Sequence, residues 1–345
     1  MRRRAALLLL AALAPCAAAA PLVMKARTFD GLAWRDGVTE VVVDAGVIRS
    51  ITALPEGSAP DIPGAVLTQG LVDHDSALGL SDGREEPQEA VSPDLLVADA
   101  FAPDESESRA LARSGVTTAW LCGGSTSLLS GAGALVAPST GPARVVSRRH
   151  GACGSLASSA RLPERAPTSP PEQLDLLRSM LPAGPVRARV RFDDGTSAAT
   201  ASTLAGVLLV GLPDSPETAR QIEGGAGAGL ILSTDWAHAP QDRVRLAAAL
   251  VHGRVALGSG ASAAGPLGLR IAAHALVQAG APREAVLAAL TRRLDQGAAP
   301  DAGLRPGAPA DLVLWSGDPT SLASRVLVVW VSGVEVYRAP AREAE

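Results

Sequence analysis

Through the middle of this chain, short β-branched runs alternate with stretches of helical apolar spacing, and few folds accommodate that rhythm. The strand-like runs are AVLTQGLVD (65–73), VTTAWL (116–121), ALVAP (134–138), ARVVS (143–147), VRARVRF (186–192), GVLLVG (206–211), GLILST (229–234) and RVALGS (254–259). Helix signals fall between several of them. Asp104 with Glu107 makes a capping-box-like start, and Gly115 ends that helix after Ser114. Ser169 with Glu172 opens another, with Pro170 in its first turn, and 240–251, 266–279 and 282–292 carry helical apolar spacing. Roughly eight strands alternating with helices over about 230 residues predict an α/β fold of the TIM-like (β/α)8 barrel type. A doubly wound open sheet is the other solution, but no glycine fingerprint for phosphates follows the first strand.

The two ends read differently. VTEVVVDAGVIRSI (38–51) is a strand pair interrupted at Ala45-Gly46, and ADLVLW (310–315) with RVLVVWVSGVEVY (325–337) repeats the pattern around Ser332-Gly333. Two β-rich ends can close into one small domain. The expected organisation is therefore a composite β-sandwich from 21–66 and 303–345 around a barrel at 67–302.

Residues 1–20 read as a signal peptide: Arg2, Arg3 and Arg4, then an apolar run from Ala5 to Ala14, then small residues from Ala17 to Ala20. The run is shorter than the roughly 20 residues a membrane-spanning helix needs. The expected location is outside the cytoplasm, periplasmic or secreted. Leu13-Ala14-Pro15-Cys16 resembles a bacterial lipobox, although proline before the cysteine departs from it, so a membrane anchor follows only if Cys16 is acylated. Beyond that segment remain Cys122 and Cys153, which an oxidising compartment allows to pair and which read equally well as two small buried residues.

Composition removes several functions. The formal charge is −4 and only 3% of residues are aromatic, which excludes a basic nucleic-acid footprint and a base-stacking platform. Lys25 is the only lysine, so the barrel holds neither a Schiff-base lysine nor a lysine-derived metal bridge.

VLTQGLVDHDSALGL (66–80) resembles the opening barrel strand of the amidohydrolase superfamily, usually PGLIDxHxHxGL. Residues 92–125 resemble the next stretch of its imidazolonepropionase-like branch, and GLRPGAPADLVLWSGDP (303–319) with 325–337 resembles its closing strands. That resemblance implies a barrel flanked by a β-sandwich, and a chemistry in which histidines at the carboxyl ends of strands hold divalent ions that activate a water. The first ligand pair is spaced two apart because strand side chains alternate.

In this chain those two positions are Asp75 and Ala77, and His74 between them should face the surrounding helices. The fifth strand offers Arg189 or Arg191, the sixth Gly211, and the last-strand aspartate aligns with Gly260. Only Asp75 could donate to a metal, so the usual binuclear site is lost, the metal-ligand set is empty, and no cofactor is expected.

Weaker candidates remain. Asp73 and Asp75 share a face and could hold a hard cation, or pair with nearby arginines. Asp235 and His238 follow a strand and could supply a general base, or form a loop contact. Ser125, Ser127 and Ser130 lie in a glycine-rich loop without a G-x-S-x-G elbow; its N–H groups could bind an anion, although a plain connection is favoured. His252 reads as a helix C-terminal cap, and His274 and His150 as structural or surface residues.

Three functions follow. The first is an exported, catalytically degenerate homologue that acts by binding, or by pairing with a competent homologue or with itself. The second is a zinc-type hydrolase of non-peptide C–N bonds, such as cyclic amides, with an atypical site at Asp75, Asp235 and His238. The third is a barrel that binds a small anion through Arg189 and Arg191.

Overall fold

A computed structural model describes residues 20–80, 88–161, 163–181, 188–227, 229–234, 240–260, 265–294 and 303–340. The candidate signal segment with Cys16, and the candidates Asp235 and His238, lie outside the described residues.

Four strands open the fold: β1 (Leu22–Thr28), β2 (Thr39–Asp44), β3 (Val47–Ala53) and β4 (Val66–Gln69). The middle contributes β5 (Leu71–Ser76), β6 (Val116–Leu121), β7 (Leu129–Ala132), β8 (Ala134–Ala137), β9 (Arg144–Ser147) and β10 (Ala152–Ser155). It continues with β11 (Ala188–Arg191), β12 (Val207–Val210), β13 (Gly229–Ser233) and β14 (Val255–Gly258). The chain closes with β15 (Leu312–Trp315), β16 (Val326–Val331) and β17 (Val334–Arg338).

Both ends of the chain share one seven-stranded sheet, in the order β17-β16-β15-β4-β1-β2-β3. Its two outer hairpins turn where the sequence indicated. Ala45-Gly46 and Ser332-Gly333 each have two consecutive residues at positive φ (50° and 79°, 50° and 74°), the geometry of a tight two-residue loop. The turns also touch: a Cβ on Gly46 would stand 2.7 Å from the Ser332 carbonyl oxygen. Bare glycine lets the two ends of the chain meet there.

The run expected as one strand at 65–73 breaks at Gly70. Val66–Gln69 pairs with β1 and β15, whereas Leu71–Ser76 pairs with β6. The break is steric, since a Cβ at Gly70 would lie 1.9 Å from Thr117 Oγ1. The chain thus leaves one sheet and joins the next within a single residue.

Parallel strands dominate the middle. One sheet runs β14-β13-β12-β11-β10-β7 and another β5-β6-β8-β9, and a parallel bridge from Ser76 to Gly260 connects them. Helices Pro170–Met180, Gly195–Ala201, Pro216–Glu223, Gln241–Leu250, Leu267–Gln278 and Arg283–Thr291 follow β10 to β14, so this is an α/β fold. One expected strand lies on a sheet edge, and one strand of the middle carried no sequence signal. Residues 144–147 pair antiparallel on the edge of β8, with alternate side chains exposed. Besides β12, β11 pairs in parallel with Ala152–Ser155, a run of Ala, Cys, Gly and Ser without the β-branched signal that marks a strand.

The helix start at Asp104 is a complete capping box: Asp104 accepts from the Glu107 N–H at 2.8 Å, and Glu107 accepts from the Asp104 N–H at 3.1 Å. At Ser169 the side chain makes no cap; Glu172 instead accepts the Thr168 N–H at 2.8 Å.

Candidate functional site: an ion cluster at the strand ends

Period-two alternation sets the cluster. On β11, Ala188 and Val190 pack in the main apolar core, so Arg189 and Arg191 share the opposite face. On that side Trp120, Cys122, Leu135, Cys153, Leu208, Val210, Ile231 and Ala256 form a second buried core from β6, β8, β10, β12, β13 and β14. Asp75, at the end of β5, turns its carboxylate to the two arginines. Arg191 Nη2 lies 2.9 Å from both carboxylate oxygens, and Arg189 Nη2 lies 3.3 Å from Oδ1.

Arg189 is the more deeply held. Its side chain is 3% exposed, against 27% for Arg191. It donates to the His74 carbonyl and, at 3.2 Å, to the Trp120 carbonyl, and its guanidinium stands 5.5 Å from the Trp120 ring centre. One guanidinium therefore ties β5, β6 and β11 together through charge-assisted bonds.

Asp73 is occupied elsewhere. Its carboxylate accepts the Ser259 N–H at 2.8 Å and the Ser259 hydroxyl at 2.6 Å. Burial pushes its pKa above the ordinary carboxylate value, the two Ser259 bonds oppose that shift, and the neighbouring Asp75 charge adds to it. His74 points towards the helices as its parity requires, with Nε2 2.8 Å from the Arg292 carbonyl oxygen.

The remaining family ligand positions carry no donor side chain. Gly260 gives its N–H to the Asp75 carbonyl oxygen at 2.6 Å, and Gly211 sits against Phe192, whose carbonyl oxygen a Cβ would approach to 2.9 Å. Among the described residues, no three His, Cys, Asp or Glu side chains converge as metal ligands would. At the positions that the resemblance assigns to ligands, Asp75 is the single oxygen donor, and two guanidinium groups pair with it, a set that fits a divalent ion poorly.

The loop serines are tied to backbone. Ser127 donates to the Glu89 carbonyl at 3.0 Å, Ser130 to the Cys153 carbonyl at 3.2 Å, and the Ser125 carbonyl accepts from Ser159 at 3.0 Å. His150 meets the Trp120 ring edge-on at 4.7 Å, and His274 Nδ1 lies 3.3 Å from the Thr320 carbonyl oxygen. His252 faces Glu223 at 3.1 Å. Sequence reading missed Ser259 and Trp120, whose only signals were a polar residue at a strand end and a large ring on the arginine-bearing side.

No protein-family model matches the chain, and no curated protein matches its sequence. Solved structures do match in three dimensions. An amidohydrolase from Thermotoga maritima MSB8 superposes with a TM-score of 0.72 at 18% identity, over 92% of this chain and 100% of that one. This chain has an amidohydrolase fold. An ochratoxinase from A. niger gives a TM-score of 0.57 at 12% identity over 93% of this chain and 96% of that one. A molinate hydrolase gives 0.57 at 13% identity over 91% and 94%. At such identities the amidohydrolase likeness is one of fold. It agrees with the resemblance carried by 66–80 and 303–319, and the histidines usual at the ligand positions are absent from this sequence.

Proposed function

We propose that this protein is a catalytically degenerate amidohydrolase homologue that acts by binding, or by pairing with a competent homologue or a second copy of itself. In this reading the parallel strands enclose a distorted (β/α)8 barrel, the terminal sheet belongs to a small β-sandwich, and residues 1–20 direct export to the periplasm or medium. The observation that carries the reading is the closure of Arg189 and Arg191 on Asp75. A catalytic zinc site needs about three protein ligands and an open position for water. The two guanidinium groups repel a divalent ion where the family fold would hold one.

The test is metal analysis of the mature protein purified without chelator, with assays on cyclic amides and dipeptides. The expected result is no stoichiometric zinc, manganese or iron and no hydrolysis. About one metal per chain, removed by Asp75→Asn with the fold intact, overturns the reading. That outcome would favour the C–N hydrolase with Asp235 and His238. Export is tested separately by N-terminal sequencing, expected to begin near Ala20 or Pro21; an acylated Cys16 would make the protein a lipoprotein.

The anion-binding reading has one observation of its own. Arg191 keeps 27% of its side chain exposed, whereas Arg189 is enclosed. A small anion would therefore meet Arg191 alone. Saturable phosphate or carboxylate binding lost in Arg191→Gln would favour that reading.

A further inference from the structure

A second concave site lies away from the Asp75 cluster, at the amino ends of β13 and β14. There the helices Pro216–Glu223 and Gln241–Leu250 end, and a cleft of about 460 Å³ opens between them and the strands. That volume is within the roughly 300–1,000 Å³ range of small-molecule sites. Its lining includes Leu209, Ile222, Leu230 and Leu250.

Glycines make the wall. The stretch after the first helix includes Gly225, Gly227 and Gly229, all lining the cleft. A Cβ on Gly225 would stand 2.4 Å from the Ser202 carbonyl oxygen, and one on Gly229 2.6 Å from the Arg254 carbonyl oxygen. Backbone therefore packs on backbone there, and no side chain from these positions fills the space.

Charged residues line the cleft as well. Glu223 and His252 face each other at 3.1 Å, so the acid has a local partner. Arg254, exposed and also lining the cleft, makes no side-chain hydrogen bond or ion pair among the described residues. A cleft lined by leucine and isoleucine residues, with an exposed arginine also in its lining, matches a molecule with an apolar body and a single carboxylate.

We propose that this cleft binds a small amphipathic carboxylate, its alkyl part against Leu209, Ile222, Leu230 and Leu250 and its carboxylate at Arg254. The site is independent of the Asp75 cluster and of the metal question. Octanoate is the probe and octan-1-ol the uncharged control, titrated calorimetrically into the full mature chain. The expected result is saturable octanoate binding that Arg254→Ala weakens by about tenfold or more, with octanol binding unchanged. Ile222→Trp, which fills the cleft from its edge, should abolish both while the circular dichroism spectrum is retained. Amide shifts on octanoate addition should concentrate in 222–230 and 250–255. Absence of saturation up to about 10 mM in folded protein, unchanged octanoate affinity in Arg254→Ala, or shifts centred elsewhere would each overturn the proposal.

Discussion

Arg189 is a cation enclosed by protein, and burying it is costly unless its partners stay in place. Asp75 supplies a counter-charge, and the His74 and Trp120 carbonyls accept from the same guanidinium. Asp75→Ala would leave the guanidinium enclosed without its carboxylate, and a loss of about 3–5 kcal/mol in urea unfolding is expected. A double variant with Arg189→Met should lose less than the two single losses added together; simple additivity would show that the pair does not interact. Asp73 gives a prediction in pH. Its folded-state pKa lies above the ordinary value, so the native state holds the proton more tightly than the unfolded chain. Its contribution is fully present below the unfolded pKa and is lost as pH rises through the folded one. Asp73→Asn should therefore flatten the fall in stability from pH 4 upward in urea titrations; an unchanged slope would assign that fall to other groups. Much at this scale was legible: alternation alone places Arg189 and Arg191 on one face and turns His74 to the helices. Their closure on Asp75 was not, because Arg191 lies 116 residues from Asp75 and only the folded sheet brings them together.

At the scale of elements, the middle sheets meet at seams on two sides besides the Arg189 contacts, among the described residues. On one side β5 meets β14 through the Ser76 bridge, and this approach depends on Gly258, whose Cβ would stand 2.4 Å from Asp75 Cβ. Gly258→Ala must push the strands apart, and a cost of at least about 1–3 kcal/mol is expected, read as a lowered unfolding midpoint. On the other side Cys122, just after β6, is disulfide-bonded to Cys153 in β10, with a Cα–Cα distance of 5.6 Å. Those strands belong to different sheets, so the bond spans a junction without direct β6–β10 pairing. The bond closes a segment of 31 residues. Chain-entropy arguments give such a loop roughly 3–4 kcal/mol. Cys122→Ala with Cys153→Ala should lower the denaturant midpoint accordingly, and dithiothreitol should do the same to the wild type while leaving the double variant unaffected. The sequence left this pairing open because thiol spacing says nothing about distance. It also hid β10, whose small residues suit a tight junction yet carry no strand signal.

On the scale of the whole molecule, the ends of the chain are structural parts of its middle. β15 lies between β4 and β16, so the central strands of the terminal sheet come from opposite ends of the sequence. The pairing of the two β-rich ends was legible in the sequence, whereas Val66–Gln69, read there as part of one barrel strand at 65–73, joins the terminal sheet, and the crossing at Gly70 depended on a contact with Thr117 that no local pattern announces. Trp315 joins this sheet to the helical layer. It is fully buried, its indole N–H donates to Thr68 Oγ1 at 2.9 Å, and Arg270 stands 5.2 Å from its ring centre. The ring also occupies the space beside Gly115, where a Cβ would come within 2.4 Å of it. Val313, Val326 and Val329 of the terminal sheet pack in the same core as the parallel strands. The terminal sheet and the α/β layers should therefore unfold together, with one midpoint by far-ultraviolet circular dichroism and by tryptophan fluorescence. Trp315→Ala removes a fully buried ring, and about 3–5 kcal/mol should be lost. Trp315→Phe keeps most of the ring and leaves Thr68 without its donor, so a smaller loss of about 1–2 kcal/mol is expected. Two separated transitions in the wild type, or equal losses in the two variants, would show that the terminal sheet is an independent module and that Trp315 does not couple it to the rest.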